Sequence, residues 1–374
     1  MDPVGGEVNA TMLTAQVRKE RRSSGHNSFL LDVSIEVSPG ITILFGASGA
    51  GKSTLLDCIA GLTRPDEGKI AAGGDVLFDS SRGIHIPAPK RRIAYVFQTL
   101  ALFPHLSAEE NVSYGLRDLP EEERRERVAA ILEAFRVEKL RRQKPGEISG
   151  GEKQRIALAR SLVTEPRVLL LDEPLTGLDA ERKAAIVDDL RAWNTAKGIP
   201  ILYVTHSRDE VDALGERIIA LDNGRVVSAG VPAEVLNAPR RKKLAQAAGF
   251  ENLLSATVLD LREPDGVMRV RLGDSACEIE VPLGYAAVGN RVQVAVRAGD
   301  ILLATERPHG LSARNMMEGR IISLERRRTM VIARVDCGVT FVVHITPGAV
   351  RALSLTAGQR VWLVLKTYSC HLVD

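Results

Sequence analysis

A glycine-rich stretch carries residue types that could hold phosphate groups. The sequence "GASGAGKST" follows the apolar run "GITILF" and places a lysine and two hydroxyls after its glycines. Its spacing fits the pattern G-x-x-x-x-G-K-[ST], whose backbone N–H groups converge on phosphate oxygens at the start of a helix. The flanking apolar stretches predict a buried strand and an apolar-faced helix, which favours a nucleotide site over a plain glycine turn. The predicted nucleotide-binding residues are Gly46, Ala47, Ser48, Gly49, Ala50, Gly51, Lys52, Ser53 and Thr54.

Metal and general-base candidates accompany this loop. Lys52 would bring positive charge to the outer phosphates, and the Ser53 hydroxyl would be a ligand of Mg²⁺. The apolar run "RVLLLDEP" predicts a buried strand that ends at Asp172 and Glu173, where doubly wound sheets bind ligands. Asp172 can hold Mg²⁺, and Glu173 can deprotonate the attacking water as a general base.

A second phosphate-binding pattern lies in "ISGGEKQR". Ser149, Gly150 and Gly151 precede a predicted helix, so a hydroxyl and exposed N–H groups would lie at its positive end. One nucleotide cannot obviously occupy both phosphate sites of one subunit. A head-to-tail homodimer, in which each nucleotide is held by one phosphate loop and by the partner's S-G-G, resolves this difficulty.

The order of these motifs resembles that of ATP-binding subunits of ATP-binding-cassette (ABC) transporters over residues 12–240. The motifs are "GASGAGKST" (Walker A), Gln98 in "YVFQ" (Q-loop), "ISGGEKQR" (signature), "LLLDEP" (Walker B), Asp179 in "TGLD" (D-loop) and His206 in "YVTHS" (switch histidine). The resemblance implies an α/β P-loop NTPase that hydrolyses ATP with Mg²⁺, with a helical subdomain at about 107–163.

The resemblance also implies roles for single residues. Gln98 would sense the γ-phosphate and the attacking water, contribute to the metal site and signal to a membrane subunit. His206 would contact the γ-phosphate and help to position water, and Asp179 would cross the dimer interface. ABC subunits usually stack the adenine on an early aromatic residue; here Phe29 and His26 are the only candidates in that segment.

The C-terminal third changes to short predicted strands with turn signals, which indicates an all-β, barrel-like domain. It repeats itself: "NLLSATVLDL" matches "NMMEGRIISL", "VGNRVQVAVRAGDILL" matches "AGQRVWLVLKTYSCHL", and "IEVP" matches "HITP". The predicted division is an ATP-binding domain at 12–240, a connector with a first β module at 241–304, and a second β module at 305–374.

The second module resembles the molybdate-binding (Mop) module through "LSARNMMEGRI", and the whole chain from Met12 resembles the ATPase subunits of molybdate importers. A tetrahedral dianion such as molybdate could be held by hydroxyls, an amide and cations. The candidate residues are Ser312, Arg314, Asn315, Lys366 and Thr367. A purely structural module is the alternative, because fold alone does not decide between them.

Several functions remain open at this point. The resemblance implies a membrane permease and a periplasmic or surface substrate-binding protein as partners, at the cytoplasmic face of the inner membrane. The cargo could instead be sulfate, tungstate, iron or a polyamine. A soluble ABC ATPase without a membrane partner, or an oxyanion sensor, would be functions of a different class.

Composition and net charge narrow the choice among these functions. The chain has 374 residues, 45% of them hydrophobic, and a net charge of only +3, so general nucleic-acid binding is not expected. The basic runs "PKRR", "PRRKK" and "ERRR" are predicted to lie on the solvated surface. No apolar run approaches the ~20 residues of a membrane span. The four cysteines are scattered along the sequence, which indicates reduced thiols.

Met12 is a candidate start residue, because the regular alternation of apolar and polar residues begins there.

Overall fold

A computed structural model describes residues 12–22, 28–237, 242–284 and 286–373. The chain divides into two compact units, one ending at Val235 and the other starting at Leu236. The first unit contains the phosphate-binding motifs, and the second contains the repeated stretches.

The first unit contains both strands and helices. Its strands are β1 (Leu13–Arg22), β2 (Ser28–Val37), β3 (Gly40–Phe45), β4 (Glu67–Ala72), β5 (Asp75–Asp79), β6 (Ile84–His85), β7 (Ile93–Val96), β8 (Val168–Asp172), β9 (Pro200–Thr205), β10 (Arg217–Asp222) and β11 (Arg225–Gly230). Its helices are α1 (Lys52–Ala60), α2 (Ala108–Ser113), α3 (Glu121–Ala134), α4 (Gly150–Leu162), α5 (Ala180–Lys197) and α6 (Arg208–Leu214), while α7 (Pro232–Asn237) spans the division. Helices α2, α3 and α4 all lie within the stretch 107–163.

A mainly parallel sheet has the order β11-β10-β3-β9-β8-β7, with β11 antiparallel to its neighbour. Strands β3, β8 and β9 are apolar and buried almost throughout, as expected for a sheet covered on both faces. Phe45 pairs with Thr205, and Asp172 pairs with Val204, so the three strands end at one edge. The loops that carry the predicted motifs therefore meet there.

An antiparallel sheet of order β2-β1-β4-β5-β6 forms the second layer. Its strands alternate, so that Leu31, Val33 and Ile35 are buried while the residues between them are exposed. These side chains share one core with α1 and with residues of the parallel sheet such as Leu44. Helix α1 is buried along most of its length because both sheets contribute to the core around it.

Arg91 is buried, so the prediction that the whole run "PKRR" lies on the surface is wrong. The side chain is 1% exposed. Its guanidinium donates hydrogen bonds to the carbonyl oxygens of Cys58 (2.9 Å), Ile59 (2.7 Å) and Ile86 (2.7 Å). Carbonyls in the last turn of a helix lack intrahelical partners and carry partial negative charge, which a cation stabilises. Arg91 thus caps α1, while its basic neighbours are exposed.

The second unit is built mainly from strands. They are β12 (Asn252–Arg262), β13 (Val267–Leu272), β14 (Glu278–Pro282), β15 (Arg291–Val296), β16 (Leu302–Ala304), β17 (Asn315–Arg326), β18 (Val331–Asp336), β19 (Thr340–Ile345), β20 (Arg360–Leu365) and β21 (Cys370–Val373), with the helices α8 (Lys242–Ala247) and α9 (Pro347–Ala352). Two antiparallel sheets, of order β14-β13-β12-β15-β21 and β16-β20-β17-β18-β19, enclose a common core. The predicted all-β, barrel-like fold is confirmed.

The two sheets repeat the same strand plan. Strand β12 has a bulge between Val258 and Asp260, and β17 has one at the equivalent place, between Ile321 and Ser323. The short strand β16 pairs with β20, and β21 pairs with β15, so each repeat gives its last strand to the other sheet. A fragment that begins at residue 305 would therefore lack one strand of its own sheet.

The match of "IEVP" to "HITP" is wrong. Glu280 pairs with Arg269 and Val342 pairs with Arg334, and the two arginines occupy equivalent positions beside the bulges. "IEVP" therefore corresponds to "FVVH", three residues before "HITP". The turn after β13 is longer than the turn after β18, so the residues that look alike in the two sequences are not structurally equivalent.

A buried asparagine at the start of each repeat joins the two sheets. The Asn252 amide accepts a hydrogen bond from Val342 N (2.7 Å) and donates one to Val342 O (2.8 Å). The Asn315 amide does the same with Glu280 N (2.6 Å) and Glu280 O (2.8 Å). Because Val342 and Glu280 are equivalent, the two clamps are reciprocal and satisfy backbone groups of the opposite sheet.

Candidate functional site

The phosphate loop connects β3 to α1, as predicted. Gly49 and Gly51 have φ angles of 79° and 104°, which favour glycine. A Cβ atom on Gly46 would lie 2.2 Å from Leu221 O, so that position also requires glycine. Helix α1 begins at Lys52, so its free N–H groups lie at the end of the loop.

Lys52 is folded onto its own loop. Its ammonium donates to Gly46 O (2.7 Å) and Ala47 O (2.9 Å). Burial lowers the pKa of Lys52, whereas the nearby carboxylates of Glu173 and Asp172 act in the opposite direction. The phosphate loop and the two acidic residues after β8 therefore lie within electrostatic reach of each other.

Glu173 and His206 meet at the carboxyl edge of the parallel sheet. His206 Nδ1 lies 3.0 Å from Glu173 Oε1. Glu173 N donates to Val204 O (3.1 Å), which ties the end of β8 to β9. Glu173 has a φ of 46°, a conformation that is unfavourable for a residue with a side chain and is typical of functional positions.

Tyr95 adds a contact that was not predicted from the sequence. Its hydroxyl lies 3.4 Å from carboxylate oxygens of both Asp57 and Asp172. Burial raises the pKa of Tyr95, so the phenol stays protonated and can donate. Burial also raises the pKa of Asp57, while Arg21 opposes this. Tyr95 thus links α1 to the Asp172 carboxylate. The alternating sequence pattern of its strand did not predict this contact.

The S-G-G segment begins α4 rather than preceding it. Ser149 is the residue before the helix, and Gly150 and Gly151 form its first turn, so the helix starts two residues earlier than predicted. The Glu152 carboxylate accepts hydrogen bonds from Ser149 N and Ser149 Oγ, both at 2.7 Å, and this capping fixes the start of α4.

Asp179 lies beside this helix start. A Cβ atom added to Gly150 would be 3.7 Å from Leu178, and one added to Gly151 would be 3.7 Å from Arg182. Asp179 Oδ1 accepts a hydrogen bond from Arg182 N (3.0 Å) and thereby caps α5. The structure therefore brings the signature and the D-loop together within one chain.

Gln98 lies in an exposed turn after β7. That strand ends at Val96, so the prediction that it runs to Gln98 is wrong by two residues. Within the described residues the Gln98 side chain makes no hydrogen bond. The turn is instead fixed through its backbone, because Arg160 of α4 donates to Leu100 O (3.0 Å) and Ala101 O (2.8 Å).

The residues predicted for Mg²⁺ fit that ion by their chemistry. Ser53, Gln98 and Asp172 offer a hydroxyl, an amide oxygen and a carboxylate, the hard oxygen donors that Mg²⁺ prefers. In the described part of the chain, no cluster of three or more His, Cys, Asp or Glu side chains could hold a metal on its own.

Phe29 contacts the phosphate loop. A Cβ atom added to Gly51 would lie 2.8 Å from the Phe29 ring. The ring is half-buried against the core of the first unit. His26, the other candidate for contact with adenine, lies outside the described residues.

The candidate anion residues of the second unit collect at the ends of two paired strands. Asn315 pairs with Leu365, so Arg314 and Lys366 each lie one residue beyond that pair, and both are exposed. Ser312 is exposed and Thr367 is buried. The Asn315 amide is occupied by Glu280, so this residue stabilises the fold in the present structure.

No helix in the described part of the chain is both long and apolar enough to span a membrane. The first family match covers residues 30–176 and is the ABC transporter family; the second covers residues 311–372 and is the TOBE domain.

Curated relatives match nearly the whole chain. The molybdenum import ATP-binding protein ModC of Rhizobium meliloti (strain 1021) is 40% identical over 348 residues, 91% of this chain and 95% of the relative. ModC of Vibrio vulnificus (strain YJ016) is 34% identical over 362 residues, 93% of this chain and 95% of the relative.

Solved structures agree with the fold of the first unit. The dimeric structure of MJ0796, a bacterial ABC transporter cassette, has a TM-score of 0.52 and 30% identity, and covers 59% of this chain and 98% of that chain. A second structure of MJ0796, bound to ADP and Pi after hydrolysis, has a TM-score of 0.50 and 30% identity. The chain belongs to the ABC transporter family, as an ATP-hydrolysing subunit of the molybdenum import ATP-binding group.

Proposed function

We propose that this chain hydrolyses ATP to energise molybdate uptake through a membrane permease. The observation that carries the proposal is the contact of His206 with Glu173, at the sheet edge where the phosphate loop begins. The cargo is inferred from the molybdenum import proteins that match over more than nine-tenths of the chain. The proposed division, 12–240, 241–304 and 305–374, assigns hydrolysis to the first part.

Hydrolysis would use the groups at this edge. The backbone N–H groups of residues 46–54 and the start of α1 hold the phosphates. Glu173 accepts the proton of the attacking water, and His206 holds that carboxylate in place through Nδ1 and contacts the γ-phosphate. Ser53, Asp172 and Gln98 would hold Mg²⁺, which when bound would offset negative charge on the phosphates.

The active assembly would be a head-to-tail homodimer. The start of α4 presents Ser149 and two glycines, and we assign these groups to the nucleotide of the partner subunit. Asp179, which lies beside them, would reach the partner's phosphate loop. Phe29, against Gly51, is the proposed contact for adenine. Gln98 would report the nucleotide state to a permease at the cytoplasmic face of the inner membrane, with a substrate-binding protein on the other side.

Reconstitution tests the cargo. The chain is assembled with its permease in proteoliposomes, and ATPase activity is measured with binding protein loaded with molybdate, tungstate or sulfate. We expect molybdate to stimulate activity several-fold over unloaded binding protein, and a Glu173→Gln transporter to respond to none of the anions. Stimulation by sulfate alone would contradict the molybdate assignment while leaving the ATPase assignment intact.

A second proposed function is anion binding by the C-terminal unit. It is supported by the neighbouring exposed cations Arg314 and Lys366. The equivalent residues of the first repeat are Glu251 and Arg297. The negative charge of Glu251 would repel an anion, so the second repeat is the favoured site. Bound molybdate could hold the transporter at rest, with a coupling of about 1–3 kcal/mol.

Calorimetry on the full chain tests this second function. Molybdate should release heat with the native chain, and Arg314→Ala should remove most of it. Arg328→Ala, at an exposed arginine in the turn between β17 and β18, is the control. The absence of any heat at millimolar molybdate would reduce the unit to a structural role.

A further inference from the structure

Glu210 is a buried carboxylate that has no role in the proposed chemistry. It lies in α6 and is 6% exposed. Lys183 Nζ donates to Glu210 Oε1 (2.7 Å), while the hydroxyls of Tyr203 (3.0 Å) and Thr205 (2.8 Å) both donate to Glu210 Oε2. Both oxygens of the carboxylate are therefore occupied, by one donor from α5 and two from β9.

The network fixes the backbone on both sides of His206. Thr205, the residue before it, is 2% exposed and donates its hydroxyl proton to Glu210. The same hydroxyl accepts a hydrogen bond from Ser207 N (3.0 Å), the residue after it. Glu210 N in turn donates to Ser207 Oγ (3.4 Å). The His206 side chain itself is mostly exposed, so its position depends on this backbone rather than on packing.

Lys183 connects the network to the D-loop. It lies in the first turn of α5, and its N–H donates to Asp179 O (3.0 Å). Its ammonium reaches Glu210 in α6, so a single side chain joins the helix that follows the D-loop to the segment that carries His206. In the structure this ion pair is half-buried on the lysine side and buried on the glutamate side.

A buried ion pair of this kind needs an explanation. Replacement of such pairs by apolar residues is often neutral or stabilising, so stability alone is a weak reason to keep a carboxylate here. The carboxylate instead fixes the geometry of its neighbours, because its two oxygens accept hydrogen bonds from three donors at once. The donors are those that hold the switch histidine and the D-loop helix.

We propose that Glu210 and Lys183 are positioning residues that hold His206 against Glu173 and couple its position to that of Asp179. The inference rests on the roles proposed above for Glu173 and His206. Movement of the D-loop at the dimer interface is transmitted through Lys183 to Glu210, and from there through Thr205 to the histidine.

The test compares Lys183→Met, Lys183→Arg and Lys197→Met in the full chain. Lys197 is a matched control, because it lies on the same helix and pairs with Glu165 (3.1 Å) on the exposed surface. We expect Lys183→Met to lower kcat by about 10- to 100-fold, the effect of a misplaced catalytic group, with KM for ATP nearly unchanged. Lys183→Arg should restore most of kcat, and Lys197→Met should keep it.

A second comparison separates positioning from general structure. In a His206→Ala background, Lys183→Met should lower kcat by less than about twofold further, because residues that act as a unit are not additive. Glu210→Gln, which preserves volume, should behave in the same way as Lys183→Met.

The outcomes distinguish failure of the proposed histidine role from failure of the positioning inference. If His206→Ala alone leaves kcat unchanged, the proposed role of the histidine fails. If His206→Ala lowers kcat but Lys183→Met and Glu210→Gln do not, the positioning inference is overturned. It is also overturned if Lys183→Met multiplies the loss in the His206→Ala background, since an independent structural defect would do that.

Discussion

Glu173 combines an unfavourable backbone with a favourable contact. Its φ of 46° is maintained by the hydrogen bond from its N–H to Val204 O, and its carboxylate contacts His206 Nδ1. Strain of this kind persists only where the surroundings over-determine the conformation. We infer that the chain keeps this carboxylate in one orientation for its chemistry, and that an isosteric amide would keep the shape but not the basicity.

Glu173→Gln should therefore keep ATP binding and slow hydrolysis by ~10²–10⁴-fold, the usual contribution of a positioned general base. Because bound ATP is no longer consumed, it should also stabilise the dimer. Single-turnover hydrolysis and size-exclusion chromatography with ATP measure the two effects. Glu133→Gln, at an exposed position of α3, is the control. Hydrolysis at a near wild-type rate would show that Glu173 is not the base.

The buried strands and the loops after them were predictable because the signals are local. Apolar runs define β3, β8 and β9, and the motifs follow them directly. Other features depend on contacts or lengths that the local pattern does not encode. Arg91 is buried because it caps α1, which is distant in sequence, whereas the register of "IEVP" depends on the length of a turn. Tyr95 and Glu210 were missed because, as for Arg91, their partners come from other elements.

The reciprocal clamps predict a matched pair of stability effects. Asn315→Ala would leave Glu280 N and O without partners, and Asn252→Ala would do the same to Val342. Each variant should lower the free energy of unfolding of the C-terminal unit by about 1–3 kcal/mol, the cost of unsatisfied buried groups. Urea unfolding measures this, with the exposed Asn290→Ala as the control.

In that experiment, similar losses at both clamps are the expected result. A large loss at one clamp with none at the other would show that the two repeats are not equivalent in stability, whatever their strand plan.

Across the whole molecule, the cysteines are protonated thiols rather than reactive groups. Burial raises the pKa of Cys58, Cys337 and Cys370 to about 12 and that of Cys277 to about 11. All four are free cysteines. Because burial disfavours the thiolate, these residues should react slowly with alkylating reagents at neutral pH in the folded protein.

The same shifts make stability depend on alkaline pH. A raised pKa in the folded state stabilises the protein fully below the ordinary thiol pKa of about 9, and this contribution is lost as pH rises toward 12. Cys370→Ala should therefore reduce the fall in unfolding free energy above pH 9 by up to about 1.4 kcal/mol per pH unit. Urea unfolding between pH 8.5 and 10.5 measures the slopes. Identical slopes in the variant and the native chain would contradict the burial of this thiol.

The assembly as a whole is best tested by mixing two inactive variants. Glu173→Gln removes the base but leaves the S-G-G segment intact, and Ser149→Arg blocks that segment but leaves the base. If each nucleotide is held between two chains, a mixed dimer contains one intact site, and an equal mixture should recover up to about a quarter of native ATPase activity. If mixed dimers form and the mixture stays as inactive as either variant alone, Ser149 acts on its own chain's nucleotide and the head-to-tail arrangement is wrong.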